Sequence, residues 1–378
     1  MLRLAEYEVA TVHLTPAEAA ELAGMTVGAR GAGGRPRVIE RLVPTAGPNV
    51  YDLQPGPFVG RFRLLSGRTV EVSGRFPFHD LATLLGLGRR PALLTEAPTD
   101  GDGAHGLVDL IALAFVREAE RLTGQGLAKE YRRRTFTRPP YAGAPSVPLH
   151  LRAHAGRPDR LATTANRLTV DVPLNQVIAT AYRRLAGVAS PNARVRALAP
   201  AFGGVTVLPG RPPVLPAVPA RYREIEKLSR LVLSGRSVLP AGSGVSGASV
   251  LFDMTRVWED YVGDWLRRGS PGRVVVAQQP IPLTDTGPRR TGYADYVVHQ
   301  GGRPIAVYDA KYRPWHPSPS TDEIYQLFTY AQRLGVSRAV LVHPGREHVS
   351  TTTTVGPVTF ESVALPIVEA VIFPLHSS

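Results

Sequence analysis

The stretch Arg303-Pro-Ile-Ala-Val-Tyr-Asp-Ala-Lys311 limits the possible folds of this chain more than any other. Its run Ile305 to Tyr308 is short, apolar and partly β-branched, which reads as a buried strand that delivers its polar residues at its end. Side chains two apart on a strand share a face, so Asp309 and Lys311 stand side by side. Lys311 is one of only three lysines in a chain that carries nearly all its positive charge on arginine. A carboxylate beside an ammonium suits phosphodiester hydrolysis: the first holds a hard cation, and the second positions water or steadies charge on the phosphorane. With 31 acids and three lysines, about a quarter of an acid-x-Lys match is expected by chance, so the tripeptide must be read with its surroundings.

The 378 residues are 43% hydrophobic and 20% charged, globular values for a chain long enough to form two or three domains. No apolar run approaches the roughly 18 residues of a membrane span, and Met1-Leu-Arg-Leu-Ala-Glu-Tyr-Glu is too acidic and too interrupted for a signal peptide. A cytoplasmic location and no membrane partner are expected. The absence of cysteine excludes disulfides, zinc ribbons, iron–sulfur clusters and thiol catalysis. Leu251 to Ser378 holds 12 Arg/Lys and 12 Asp/Glu, which leaves the whole net charge of +13 in the first 250 residues. That asymmetry points to phosphate-backbone contact, or docking on an acidic partner, by a module separate from the candidate active site.

From Met1 to about Arg90, apolar residues alternate or bunch between Gly and Pro, as in Phe58-Val-Gly-Arg-Phe-Arg and Arg68-Thr-Val-Glu-Val-Ser, and predict β structure. The basic loop from Gly28 to Arg37 fits either a linker or a nucleic-acid loop, and lacks the Lys-Ser/Thr of a phosphate-binding P-loop. Helical spacing takes over from Gly106: Val108, Ile111, Phe115 and Leu122 share one face, a second helix is predicted from Leu174 to Leu185, and a third from Arg221 to Leu233. Lys129-Glu-Tyr-Arg132-Arg133-Arg134 is the densest basic patch, either a grip for phosphates or a solvated helix end. The stretch Pro240 to Ser249 reads as a hinge.

Beyond it, a helix is predicted from Phe252 to Arg268, strands at Val274–Ala277, Tyr293–Val298 and Ile305–Lys311, a helix from Thr321 to Leu334, and a buried strand from Ala339 to His343. This order and its polar residues resemble the PD-(D/E)xK nuclease superfamily. Glu259 on the first helix, Asp295 on the second strand and Asp309-Ala310-Lys311 on the third match the positions of its site residues. Gln326 and Tyr330, four apart on one helix face, are similar to the Gln-x-x-x-Tyr element of the branch that includes RecB-type nucleases. The segments around Glu259, Asp295, Asp309 and Gln326, with Phe58-Val-Gly, Thr69-Val-Glu-Val, Gly126 to Tyr131 and Val172-Pro-Leu-Asn175 upstream, further resemble the McrC-type nuclease subunits of McrBC modification-dependent restriction systems. The chain departs from that pattern at Ala294, where many relatives have Pro, at Ser73-Gly-Arg-Phe, where Pro-Lys is common, and in long Pro/Gly insertions.

The resemblance implies an α/β chain, α+β overall, with a C-terminal restriction-endonuclease-like core of order αβββαβ. A β-rich partner- or DNA-binding region (1–105) and a helical, basic middle region (106–240) would precede the nuclease domain (250–378). It further implies a bacterial endodeoxyribonuclease of antiviral defence that docks on, and stimulates, a McrB-like AAA+ GTPase hexamer. Mg²⁺ or Mn²⁺ would sit on Asp295, Asp309, the Ala310 carbonyl and Glu259, with Lys311 orienting water and Gln326 and Tyr330 completing the catalytic set. DNA would meet Lys129, Arg132, Arg133 and Arg134, and nuclease domains would pair for double-strand cutting. The chain has no Gly-x-x-x-x-Gly-Lys-Ser/Thr of its own, which agrees with a motor on another polypeptide. A stand-alone RecB-like repair nuclease and a non-catalytic DNA-binding regulator of a GTPase are the competing readings. His299, His316 and His343 are scattered and read as structural or exposed rather than as ligands.

Overall fold

Alternating apolar residues build the N-terminal part. β1 (Leu2–Ala5), β2 (Ala10–His13), α1 (Pro16–Ala23), β3 (Thr26–Val27), β4 (Ile39–Pro44), β5 (Val50–Pro55), β6 (Phe58–Arg63) and β7 (Thr69–Ser73) follow one another in the computed structural model. The structure describes residues 1–27, 37–76, 80, 83–84, 106–157, 159–188, 193–210, 212–234, 238–239 and 249–367. Most of the basic loop and of the hinge expected from the sequence, and the region boundaries near 105 and 240–250, lie outside the described residues. One sheet has the order β2-β5-β4, and in another β1 runs parallel to β7 with β6 antiparallel beside it. Leu4, Leu53, Phe58, Phe62 and Val70 close a core over these strands.

The middle of the chain supplies α2 (Leu107–Gly124), β8 (Glu130–Phe136), β9 (Ala144–Pro145), α3 (Val147–His154), β10 (Thr163–Thr169), α4 (Pro173–Val188), α5 (Ala193–Ala197), α6 (Ala199–Phe202), α7 (Arg223–Ser234) and β11 (Val238–Leu239). The three long helices appear where their spacing places them, and bury Ile111, Phe115, Ile178 and Ile225 in one core. The basic patch is corrected: it is no helix end. Glu130 to Phe136 pairs with β10 along its whole length, from Thr169↔Glu130 to Thr163↔Phe136. Pairing with a distant strand decides its conformation, since the charged run has no apolar stripe to hold a helix. The resulting ribbon is exposed along β8. Two of the upstream motifs meet below it. Asn175, fully buried, donates to the carbonyls of Ala128 and Val170 at 2.9 and 2.7 Å and accepts from the Tyr222 hydroxyl at 3.1 Å.

The last third adds β12 (Ser249–Asp253), α8 (Met254–Gly269), β13 (Val274–Pro282), β14 (Thr291–Gln300), β15 (Arg303–Ala310), α9 (Thr321–Leu334), β16 (Arg338–Gly345), β17 (Val349–Val355) and β18 (Val358–Pro366). The helix expected from Phe252 starts at Met254 instead. Phe252 pairs with Val59, which adds β12 to the β1-β7-β6 sheet, and the Asp253 carboxylate caps the helix by accepting from Arg256 N–H. The order αβββαβ is present as α8, β13, β14, β15, α9, β16, so the chain is mixed α/β, α+β overall, as its sequence predicts. Two strands extend it, giving a sheet of order β13-β14-β15-β16-β18-β17 with β16 parallel to both neighbours. The sequence pattern does not predict β17, because Val349-Ser-Thr-Thr-Thr-Thr-Val shows no apolar alternation. Among the described residues no helix is long and apolar enough to cross a membrane.

This sheet is covered on both sides, which is why β15 and β16 read as continuous apolar runs. Trp258 and Val262 of α8 pack with Tyr296, Tyr308 and Val342 in the core shared with α2, α4 and α7. Leu327 and Ala331 of α9 pack with Val297, Val307 and Leu341 in another.

A buried ion network joins the N-terminal sheet to the helices. Arg61, 2% exposed, donates both terminal nitrogens to Asp109 at 2.8 and 2.7 Å, one to Glu71 at 2.9 Å and the other to the Val188 carbonyl at 3.2 Å. Removing the cation leaves the buried Glu71 and the half-buried Asp109 without their shared counter-charge. Arg61→Ala should therefore cost about 3–5 kcal/mol in a denaturant titration, and a loss below about 1 kcal/mol would show that the network carries little.

Candidate active site

The antiparallel ladder between β14 and β15 creates the site. Tyr296↔Tyr308 is a paired position of that ladder, and Asp295 and Asp309 are the next residues out on each strand, which places both carboxylates on one face. The Ala310 N–H donates to Asp295 Oδ2 at 2.9 Å, so the strand carrying one acid orients the other. Lys311 Nζ stands 2.6 Å from Asp309 Oδ2. Asp309 is 4% exposed, and its Oδ2 has this ion pair but no hydrogen bond of proper geometry. Asp309 and Lys311 thus stand together as the strand spacing predicts, although β15 ends at Ala310 and Lys311 lies one residue beyond it.

One backbone oxygen ties the remaining acid to this group. Val342 O of β16 accepts from the Lys311 N–H at 2.9 Å and from the Trp258 indole N–H at 3.1 Å. Trp258 directly precedes Glu259 on α8, so the helix carrying the acid and the strand end carrying the amine hang from the same carbonyl. Tyr296 adds a second tie by donating its hydroxyl to the Glu259 backbone oxygen at 2.8 Å. Gly263 makes room for this, since a Cβ there would stand 2.5 Å from the Tyr296 hydroxyl.

Negative charge exceeds positive here, and the carboxylates respond. Burial first, and then the charge of Asp295, push Glu259 from the ordinary 4.5 up to about 7. Burial and the charge of Asp309 push Asp295 from 3.8 up to about 6, against the opposing pull of the Ala310 N–H, Lys311 and Gln278. Among the described residues no three His, Cys, Asp or Glu side chains form a ready-made metal cage. The donor set is instead two adjacent carboxylates with a third acid in electrostatic reach and all-oxygen chemistry. That fits Mg²⁺, which takes one or two protein carboxylates and keeps water or substrate oxygens for the rest.

Gln326 and Tyr330 come together on α9, where the Gln326 amide donates to the Tyr330 hydroxyl at 3.4 Å. Tyr330 is buried against β14 three residues before Asp295; a Cβ on Gly292 would stand 2.6 Å from its ring. The basic residues Lys129, Arg132, Arg133 and Arg134 belong to the separate β8–β10 ribbon or its approach. There Arg132 pairs with Glu130 at 3.5 Å and Arg133 donates to the Thr164 hydroxyl at 3.4 Å.

Sequence reasoning overlooked several neighbours. Gln278 faces Asp295 across β13 and donates to its Oδ1 at 3.2 Å, from a left-handed backbone (φ 49°) that a non-glycine residue adopts only under constraint. The polar pair Gln278-Gln279 inside an otherwise apolar strand was the available signal. Glu323 sits at the third position of α9, closes a capping box with Ser320 and pairs with Arg313 just after Lys311. His343, 1% exposed, follows Val342 on β16 and is pushed down to about 4 by burial and by the Arg313 charge, so it is a neutral imidazole within electrostatic reach of Lys311. His299 bonds Gln279 and His316 bonds its own loop.

A family model described as McrBC 5-methylcytosine restriction system component matches residues 53–344. A search of curated proteins returned no match. Among solved structures, the fold is similar to a chain of the refined half-complex from the tetradecameric assembly of Thermococcus gammatolerans McrB AAA+ hexamers with bound McrC. The TM-score is 0.58, with 16% identity over 97% of this chain and 94% of that one. The cryo-EM structure of the Thermococcus gammatolerans McrBC complex matches at TM-score 0.42, with 14% identity over 71% of this chain and 87% of that one.

Because both acids ionise above their unfolded values, the folded chain holds protons that the unfolded chain has released. Stability contributed here is therefore full below about pH 4 and falls as pH rises through about 6 to 7. In EDTA, Asp295→Asn and Glu259→Gln should each flatten the fall in denaturant midpoint between about pH 4 and about pH 7. Midpoints in both variants that track the parent across that window would refute the charge conflict.

Proposed function

The chain belongs to the family of McrBC 5-methylcytosine restriction system components, and on that premise we propose that it is the McrC-type subunit that cuts DNA for an AAA+ GTPase motor. The observation that carries this reading is the juxtaposition of Asp295, Asp309 and Lys311 where the β14–β15 ladder ends. A Mg²⁺ or Mn²⁺ ion bound there would supply a Lewis acid for the scissile phosphate and a water of lowered pKa. Asp295 and Asp309 would hold the ion, with the Ala310 carbonyl and Glu259 as its further oxygen donors. Lys311, a strongly hydrated point charge on a flexible stem, orients the attacking water or steadies charge on the phosphorane. The Ala310 N–H and the Gln278 amide keep the Asp295 carboxylate turned toward the site. Tyr330, packed on Gly292, sets α9 against β14, and the Gln326 amide holds the Tyr330 hydroxyl from the same helix.

Partner contacts follow from charge and exposure. The net charge lies outside the nuclease part, and the β8–β10 ribbon presents Arg132, Arg133 and Arg134 to solvent. A phosphate backbone or an acidic motor surface suits it. The similarity to a structure of McrB hexamers with bound McrC supports docking on a motor of that kind. Paired nuclease domains would deliver cuts to both strands.

Asp309→Ala should abolish divalent-dependent plasmid cleavage, by about a thousandfold or more, while partner binding and GTPase stimulation persist. Cleavage at the parent rate in that variant refutes the assigned site. Cutting by the purified chain alone, with no motor, favours the stand-alone repair reading. Alanine at Arg132, Arg133 and Arg134 should lower the slope of DNA affinity against salt by about 0.9 for each phosphate that the ribbon no longer neutralises. An unchanged slope with lost GTPase stimulation assigns the ribbon to the motor instead.

A further inference from the structure

The chain turns sharply after Lys311. Arg313 N–H donates to the Lys311 carbonyl at 2.8 Å, a three-residue turn with Tyr312 at its apex. Both flanks of the turn are tied down, one by the bond from Lys311 N–H to Val342 O at 2.9 Å, the other by the ion pair between Arg313 and Glu323 at the start of α9. The apex is held from the opposite end of the chain. Tyr312, 6% exposed, donates its hydroxyl to Glu6 Oε1 at 2.8 Å across 306 residues of sequence.

Glu6 is well placed to serve as an anchor. It follows β1, is 1% exposed, and its own N–H donates to Ser73 O at 3.0 Å. The oxygen that receives Tyr312 also accepts the Arg75 N–H at 2.8 Å. The Arg75 guanidinium lies 4.0 Å from the centre of the Tyr7 ring and 5.4 Å from that of Tyr312, and the Phe76 ring lies 5.3 Å from Tyr312 on centroids. A carboxylate this deeply buried is costly unless donors satisfy it, and here a donor comes from the residue after the catalytic amine. Phenylalanine would fill the same space at position 312, so the hydroxyl serves the bond to Glu6 alone.

We propose that Tyr312 is a positioning residue for Lys311, and that its bond to Glu6 makes the N-terminal sheet part of the machinery that holds the ammonium against Asp309. The proposal deepens the nuclease reading above and, for its effect on cleavage, rests on it. A lysine stem is flexible, so the direction of its ammonium depends on how firmly its backbone is set. Lys311, 27% exposed at its side chain, has that backbone set by one bond within the nuclease sheet and by a turn whose apex bonds a buried carboxylate that follows β1 of the N-terminal sheet.

Lysine labelling makes this testable without relying on cleavage. The chain has three lysines, Lys129, Lys227 and Lys311, so [ε-¹³C]lysine in the full chain yields one Cε signal for each. In Tyr312→Phe the Lys311 signal should move while the other two stay, and Mg²⁺-dependent plasmid turnover should fall about tenfold with KM for DNA unchanged. Glu6→Ala should move the same signal, and the double variant should lose no more turnover than either single one. A Lys311 signal unmoved in a folded Tyr312→Phe chain overturns the proposal, as do losses that add in the double variant. A moved signal in a chain whose parent cuts no DNA upholds the positioning and overturns the nuclease reading. If Tyr312→Phe does not fold, Glu6→Gln decides: it keeps an acceptor for Tyr312, so a displaced Lys311 signal there counts against the hydrogen bond.

Discussion

Three carboxylates and one ammonium gather where the β14–β15 ladder ends, and much of the surrounding fold serves to hold that imbalance in place. Burial first, and then the repulsion of like charges brought together, is why Glu259 and Asp295 ionise so far above their ordinary range. A chain gains nothing in stability from such an arrangement. Fixed donors partly offset the cost, namely the Ala310 N–H, the Gln278 amide and Lys311. The rest is met by the protons that these acids keep to higher pH, or, on the proposed nuclease reading, by a bound cation.

The scaffold explains how the conflict is kept from relaxing. Each acid sits on an element pinned by a buried apolar face: Glu259 on a helix packed through Trp258 and Val262, and Asp309 on a strand covered on both sides. Side chains supported in this way cannot simply turn to water. Polar contacts then set direction where packing sets only position. The carbonyl of Val342 is the clearest case, since a single atom registers α8 against the end of β15. The left-handed turn of backbone at Gln278 is another, a local strain kept where it aims an amide at Asp295.

Buried polar contacts also weld the N-terminal sheet to the rest. Arg61 reaches from β6 to α2 and the end of α4, β12 completes the N-terminal sheet just before α8 begins, and Glu6 receives Tyr312. Buried ion pairs of this sort contribute little net stability compared with apolar packing, but they are costly to break and therefore tolerate only one arrangement of their neighbours. On the proposed reading, in which a partner docks on the basic N-terminal portion, such contacts would give the docking regions and the candidate active site a common geometry.

Much of this was legible in the residues themselves. The apolar run ending in Asp309-Ala310-Lys311, the helical spacing around Val108, Leu174 and Tyr325, and the order of elements after Phe252 follow from periodicity, which is a local property of the chain. The resemblance carried by Glu259, Asp295 and Gln326 named the family before any geometry was known. Of the two readings of the basic patch at Lys129–Arg134 the helix end fails, because a strand of exposed arginines has no signal of its own; β10, some thirty residues later, makes it one. Asp295 and Asp309 were each visible as isolated acids, yet their repulsion, the shared carbonyl of Val342, the reach of Gln278 and the bond from Tyr312 to Glu6 required the tertiary structure. Periodicity and spacing report what a residue's neighbours in sequence demand. The energies of burial, charge and hydrogen bonding that set this site arise between residues far apart in the chain, and only folding brings them within range.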